Sequence, residues 1–83
     1  MTIPSTHIVE LSRTKGVVRY GIGDLRGECI QVGKYFWEWD VWQCDDRETR
    51  LESGSAKNLT KATAECMTTL RRLAGIEVVG AKI

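Results

Sequence analysis

Residues 35–44 read Tyr35-Phe36-Trp37-Glu38-Trp39-Asp40-Val41-Trp42-Gln43-Cys44, and their alternation decides the fold. All three tryptophans and five of the six aromatic residues of the chain lie between Tyr35 and Trp42. Successive side chains of a strand point to opposite faces, so Tyr35, Trp37, Trp39 and Val41 share one side. That set is a continuous apolar stripe and predicts the floor of a core. Phe36, Glu38, Asp40, Trp42 and Cys44 share the other side, where two carboxylates lie between two aromatics. A strand that had only to fold would not require this second face, which makes it a candidate recognition surface.

Upstream, His7–Arg13 reads as a first strand and Thr14-Lys15-Gly16 as a turn. Val17–Ile22 is a second strand, with Val18, Tyr20 and Ile22 on one face. Residues 23–27 (Gly-Asp-Leu-Arg-Gly) read as a loop or irregular edge, Glu28–Val32 as a short strand, and Gly33-Lys34 as the turn into the aromatic strand. Downstream, residues 45–48 form a polar turn, Thr49–Ser53 returns as a hairpin partner, and Gly54-Ser55 ends it. Leu59, Ala62, Cys66, Leu70 and Leu73 then recur at spacings of three and four, the buried stripe of a helix over about 59–74. Asn58 or Thr60 caps its start, Gly75 ends it, and Arg71 and Arg72 meet the negative end of its dipole. Ile76–Val79 reads as a short closing strand.

Successive strands joined by short turns imply an antiparallel sheet, and one helix covers one face. The expected fold is therefore α+β: a single domain over residues 1–83, with a sheet of three to five strands. The Trp37/Trp39 face is expected beneath the Cys66/Leu70/Leu73 stripe.

Eighty-three residues are near the lower end of what folds without staples. No apolar run approaches the roughly 18–20 residues of a membrane span, and the N-terminus has no signal-peptide pattern. A cytoplasmic location follows as an expectation. Cys29, Cys44 and Cys66 are odd in number, widely spaced and without a C-x-x-C, and the one histidine, His7, stands 22 residues from the nearest of them. Reduced structural cysteines are expected, with no metal and no cofactor.

The chemistry of an enzyme is poorly supplied. One imidazole provides no shuttle, and neither a G-x-S-x-G elbow nor a phosphate-binding glycine loop is present. Glu38 and Asp40 share a strand face, but an acid/base pair needs a cleft that splits the two pKa values, and this face is expected to be open. No catalytic residue is assigned.

The net charge of +1 hides a segregation: residues 36–52 carry six acidic and two basic groups, a balance of −4, between flanks of +2 and +3. Interfaces favour aromatic anchors, and surrounding charge selects the partner. Phe36, Glu38, Asp40, Trp42, Asp45 and Asp46 are thus the expected contact surface for a protein partner with a basic face. A solvated acidic turn, with Phe36 and Trp42 packed under the N-terminal strand, is the plainer alternative. A homodimer burying this face is another. A nucleic-acid-binding module using Lys57, Lys61, Arg71 and Arg72 is the competing function, although a near-neutral chain argues against it.

In size, strand-rich body, single helix and acidic-aromatic sheet, the chain resembles in outline the small proteins with which bacteriophages and prophages disable host machinery, anti-CRISPR proteins among them. The resemblance implies a non-enzymatic inhibitor that occludes a basic surface of a host complex. The mixed charge differs from that of the strongly acidic DNA-mimicking members.

Overall fold

A computed structural model describes residues 3–75; the side chains of residues 46–49 lie outside that description, as does the closing strand expected at Ile76–Val79. Five strands run β1 (Val9–Thr14), β2 (Val17–Ile22), β3 (Leu25–Gly33), β4 (Phe36–Gln43) and β5 (Asp46–Ala56), followed by helix α1 (Leu59–Leu73). Every strand pairs antiparallel with its chain neighbour, so the sheet order is β1-β2-β3-β4-β5. The connections are two-residue turns at Lys15-Gly16, Gly23-Asp24, Lys34-Tyr35 and Cys44-Asp45.

The expected α+β architecture is what forms. Several boundaries differ: β5, for one, begins at Asp46, within the segment 45–48 expected as a polar turn, because Gln43 and Asp46 pair across a two-residue turn. Three others follow from contacts between distant segments. The first strand starts at Val9 because the preceding segment folds back over the sheet, where the Gly23 amide donates to the Pro4 carbonyl at 2.8 Å. Residues 25–27, read as a loop, belong to β3. Gly27 is there because the helix passes directly above it: a Cβ at that position would stand 2.7 Å from Cys66 Sγ and 3.0 Å from Leu70 Cδ1. Gly54-Ser55 likewise continues β5 instead of ending it. The Trp39 indole lies on Gly54, and a Cβ there would meet the ring at 2.7 Å.

The core lies between sheet and helix. Val18, Tyr20 and Ile22 of β2, Cys29 of β3, and Trp39 and Val41 of β4 face Ala62, Cys66 and Leu70 of α1, all of them buried. Tyr20 also reaches the helix with its hydroxyl, 3.3 Å from Thr63 Oγ1, and Trp39 Nε1 donates to Glu65 Oε1 at 2.8 Å. Asn58 is the N-cap: its side chain accepts from the Lys61 amide at 2.8 Å. The expected stripe holds for its middle, but Leu73 is exposed, and Ala74 packs against the core at that end. Tyr35, expected in the core floor, is 73 % exposed. It occupies the β3–β4 turn, past the end of the surface the helix covers. No helix among the described residues is long and apolar enough to cross a membrane.

Candidate functional site

The face of the sheet away from the helix carries the residues expected to bind. Its central row crosses four strands as Arg19, Glu28, Asp40 and Ser53. Arg19 Nε donates to Glu28 Oε2 at 2.5 Å, while Arg50 Nε lies 3.5 Å from Asp40 Oδ2. Glu28 is only 1 % exposed, so a charged partner at its side is what burial of a carboxylate demands. Asp40 is therefore engaged within the protein itself.

The next row is Gly21, Arg26, Trp42 and Arg50. Trp42 stands between two arginines on neighbouring strands, whose aliphatic stems are well suited to covering an aromatic ring. Arg26 is anchored there by donating to the carbonyls of Gly23 and Leu25, both at 2.9 Å. Ile3 and Leu11 close over Gly21 at the end of the row. Trp42 is consequently 8 % exposed and lies outside the main core cluster. Its burial is local to this face.

Phe36 is different. It is 45 % exposed and stands beside two other exposed apolar residues at the same hairpin end, Val32 (50 %) and Tyr35 (73 %). Glu38 is exposed two residue pairs further in, on the same face as Phe36. Asp45 is exposed too, but it occupies the β4–β5 turn at the opposite end of the sheet. Nine residues separate it from Phe36, roughly 25–30 Å at the usual strand rise. The side chain of Asp46 lies outside the described residues. The five described members of the expected contact set thus form no single patch: Phe36 and Glu38 at one end and Asp45 at the other are apart, with Asp40 and Trp42 engaged between them.

Charge around the apolar end is basic. Lys15 and Lys34 sit in the two turns of that end, Lys57 follows β5 there, and Lys61 lies in the first turn of α1. The Gln31 amide donates to the Gly16 carbonyl at 2.8 Å, tying the two turns together. The row continues through Trp37 to Ala56, next to Lys57. None of these four lysines joins the ion pairs of the described residues, which are all made by arginines. Lys34 Nζ instead stands 5.5 Å from the Tyr35 ring centroid, a cation–π distance. Arg71 and Arg72, grouped in the sequence with Lys57 and Lys61, are at the far end of the helix, and Arg72 pairs with Glu52. The sequence signal for the lysine group was only that two of its members fall in turn positions.

Cys29 and Cys66 face each other beneath the helix, both fully buried, whereas Cys44 is exposed in a turn. The hydrogen bond to Cys29, reinforced by burial, pushes the Cys66 thiol well above the ordinary thiol range. A thiol-specific colorimetric reagent should therefore titrate one thiol per native chain, Cys44, and all three in denaturant. Rapid reaction of two or more thiols in the native protein would contradict the closed helix–sheet seam.

Fold and surface together define the class: a small α+β domain with a five-stranded antiparallel meander, one covering helix, and an exposed apolar hairpin end ringed by lysines. No protein family, curated protein or solved structure matches the chain.

Proposed function

We propose that this protein is a non-enzymatic binding module that engages a partner protein through the β3–β4 hairpin end. The observation that carries the reading is the exposed group Val32, Tyr35 and Phe36. Contiguous exposed apolar surface is uncommon on small monomeric domains and marks contact sites, and aromatic residues are the usual anchors. The surrounding lysines favour a partner with an acidic complementary surface, in place of the basic one expected from the order of residues alone. Occlusion of a host complex, the action implied by the phage-inhibitor resemblance, is a mode of use compatible with such an anchor.

Nucleic acid is the second reading, favoured by the lysine row beside two aromatics that have free faces for stacking. A pull-down from host lysate with and without nuclease, repeated with Tyr35→Ser/Phe36→Ser, separates the two. A specific nuclease-resistant protein band that disappears with the double variant is the expected result. The thermal midpoint should stay within about 4 °C, since exposed substitutions change stability by about 0.5 kcal/mol or less. Retention of the band by the double variant would refute the hairpin end as the contact. Recovery of nucleic acid, with an affinity slope of about −3 against log salt for four lysines, would transfer the assignment to the second reading.

A further inference from the structure

Strand β5 is the edge of the sheet among the described residues, and its C-terminal half differs from the other edge. On β1 the register slips between Glu10 and Ser12, and Glu10 and Arg13 form a charge pair; both devices blunt an edge against strand addition. On β5, Glu52, Ser53, Gly54, Ser55 and Ala56 pair with β4 in unbroken register. The side chains at 53–55 are minimal, and a hollow lies on each side of them. On the helix side a groove of about 430 Å³ is bounded by Trp39, Glu52, Ala64, Glu65 and Thr68. On the opposite face a hollow of about 260 Å³ is bounded by Glu38, Asp40, Arg50, Ser53 and Ser55, where Arg50 is already paired with Asp40 and leaves Glu38 as the carboxylate for an incoming cation.

We infer that β5 over Glu52–Ala56 accepts an extended basic segment of a partner protein as a sixth strand, its side chains alternating into the two hollows. Strand addition draws its affinity from main-chain hydrogen bonds and its specificity from pockets for alternate side chains. An added strand would lie about 4.8 Å outside β5, its side chains directed alternately to the two faces. The small side chains at 53–55 leave long lysine or arginine side chains room to lie back across β5. On one face they reach Glu52 and Glu65; on the other, Glu38, which belongs to no ion pair of the described residues. The carboxylates of Glu52 and Glu65 already accept from Arg72 and Trp39, but an ionised carboxylate offers about four acceptor positions. Ala64 and Thr68 lie one turn apart on α1 and leave the helix wall of the groove low. At Ala56 this surface adjoins the row that runs through Trp37 to the hairpin end, but Val32, Tyr35 and Phe36 take no part in it, and the inference does not depend on that reading.

The test uses the intact protein and a fluorescein-labelled, end-blocked heptapeptide of valine and arginine with two adjacent central arginines, which place one basic side chain on each face. Saturable binding is expected, with amide shifts and slowed hydrogen exchange confined to β5 and the facing side of α1. Replacing arginine by glutamate in the peptide should abolish binding, as should N-methylation of alternate peptide amides, which removes ladder donors. Glu38→Lys and Ala64→Arg, both at exposed positions, should each weaken binding by about tenfold or more while leaving the thermal midpoint in place. No saturation up to about 1 mM overturns the inference. So do equal affinity for the acidic peptide, perturbed amides located elsewhere, and protection of β5 by a second copy of the chain or by its own C-terminal segment.

Discussion

Gly27→Val is expected to be the most damaging single substitution in this domain. Even a methyl group at position 27 would meet Cys66 Sγ at 2.7 Å and Leu70 Cδ1 at 3.0 Å, and both belong to the buried stripe of α1. A valine must therefore lift the helix or force its side chains out of their rotamers, at a cost above the usual overpacking range of about 1–3 kcal/mol. A domain of this length has about 4–12 kcal/mol in total on the usual per-residue scale. The thermal midpoint should fall by about 12 °C or more. The decisive comparison is with Gly27→Ala, expected to cost about 2 kcal/mol alone and about 1 kcal/mol less in a Cys66→Ala background. Additive losses in the double variant would mean that the helix does not rest on Gly27.

Trp42→Ala carries the second large expectation. From the order of residues, Trp42 is a partner anchor, and its removal would leave stability untouched. In the fold it is 8 % exposed, set between Arg26 and Arg50 on the face away from the helix. Truncating a buried tryptophan costs about 3–5 kcal/mol, so denaturant unfolding should show a lowered midpoint with little change in slope. An unchanged midpoint with lost partner binding would restore Trp42 to the contact surface. Phe36→Ser in parallel should show the opposite pattern, because Phe36 remains 45 % exposed.

These two positions also show where sequence reasoning reached its limit. The period-two pattern of residues 35–44 and the three–four spacing of Leu59–Leu70 are local signals. They were enough to define an antiparallel sheet under a single helix, with β2 at Val17–Ile22 and a cap at Asn58 or Thr60, of which Asn58 is the one that forms. What they could not carry was contact between distant segments. Gly27 and Gly54 look like loop residues until the helix and the Trp39 ring are seen to rest on them. Trp42 and Phe36 are equivalent by alternation, and their difference comes from neighbours distant in the chain: Trp42 stands between Arg26 and Arg50, whereas Phe36 pairs with Gly33 at the hairpin end. The candidate site was legible to the same extent. Phe36 and Glu38 stand at an open surface, Asp40 is held by Arg50, and Lys15, Lys34 and Lys57 come to the same end of the sheet only through the strand order.

The four two-residue turns have a consequence for how the chain acquires its shape. Each strand finds its partner in the segment just made, so little loop-closure entropy opposes any one pairing. Such nearest-neighbour wiring lowers contact order for a sheet of this size, and folding should be fast for a strand-rich protein. During synthesis the hairpins emerge in the order in which they pair, and α1 arrives after all five described strands to seal Cys29, Trp39 and Val41 from water. Until that moment the nascent meander exposes its broadest apolar face, so the ribosome-bound chain is most vulnerable to aggregation in the interval between completion of β5 and release of α1.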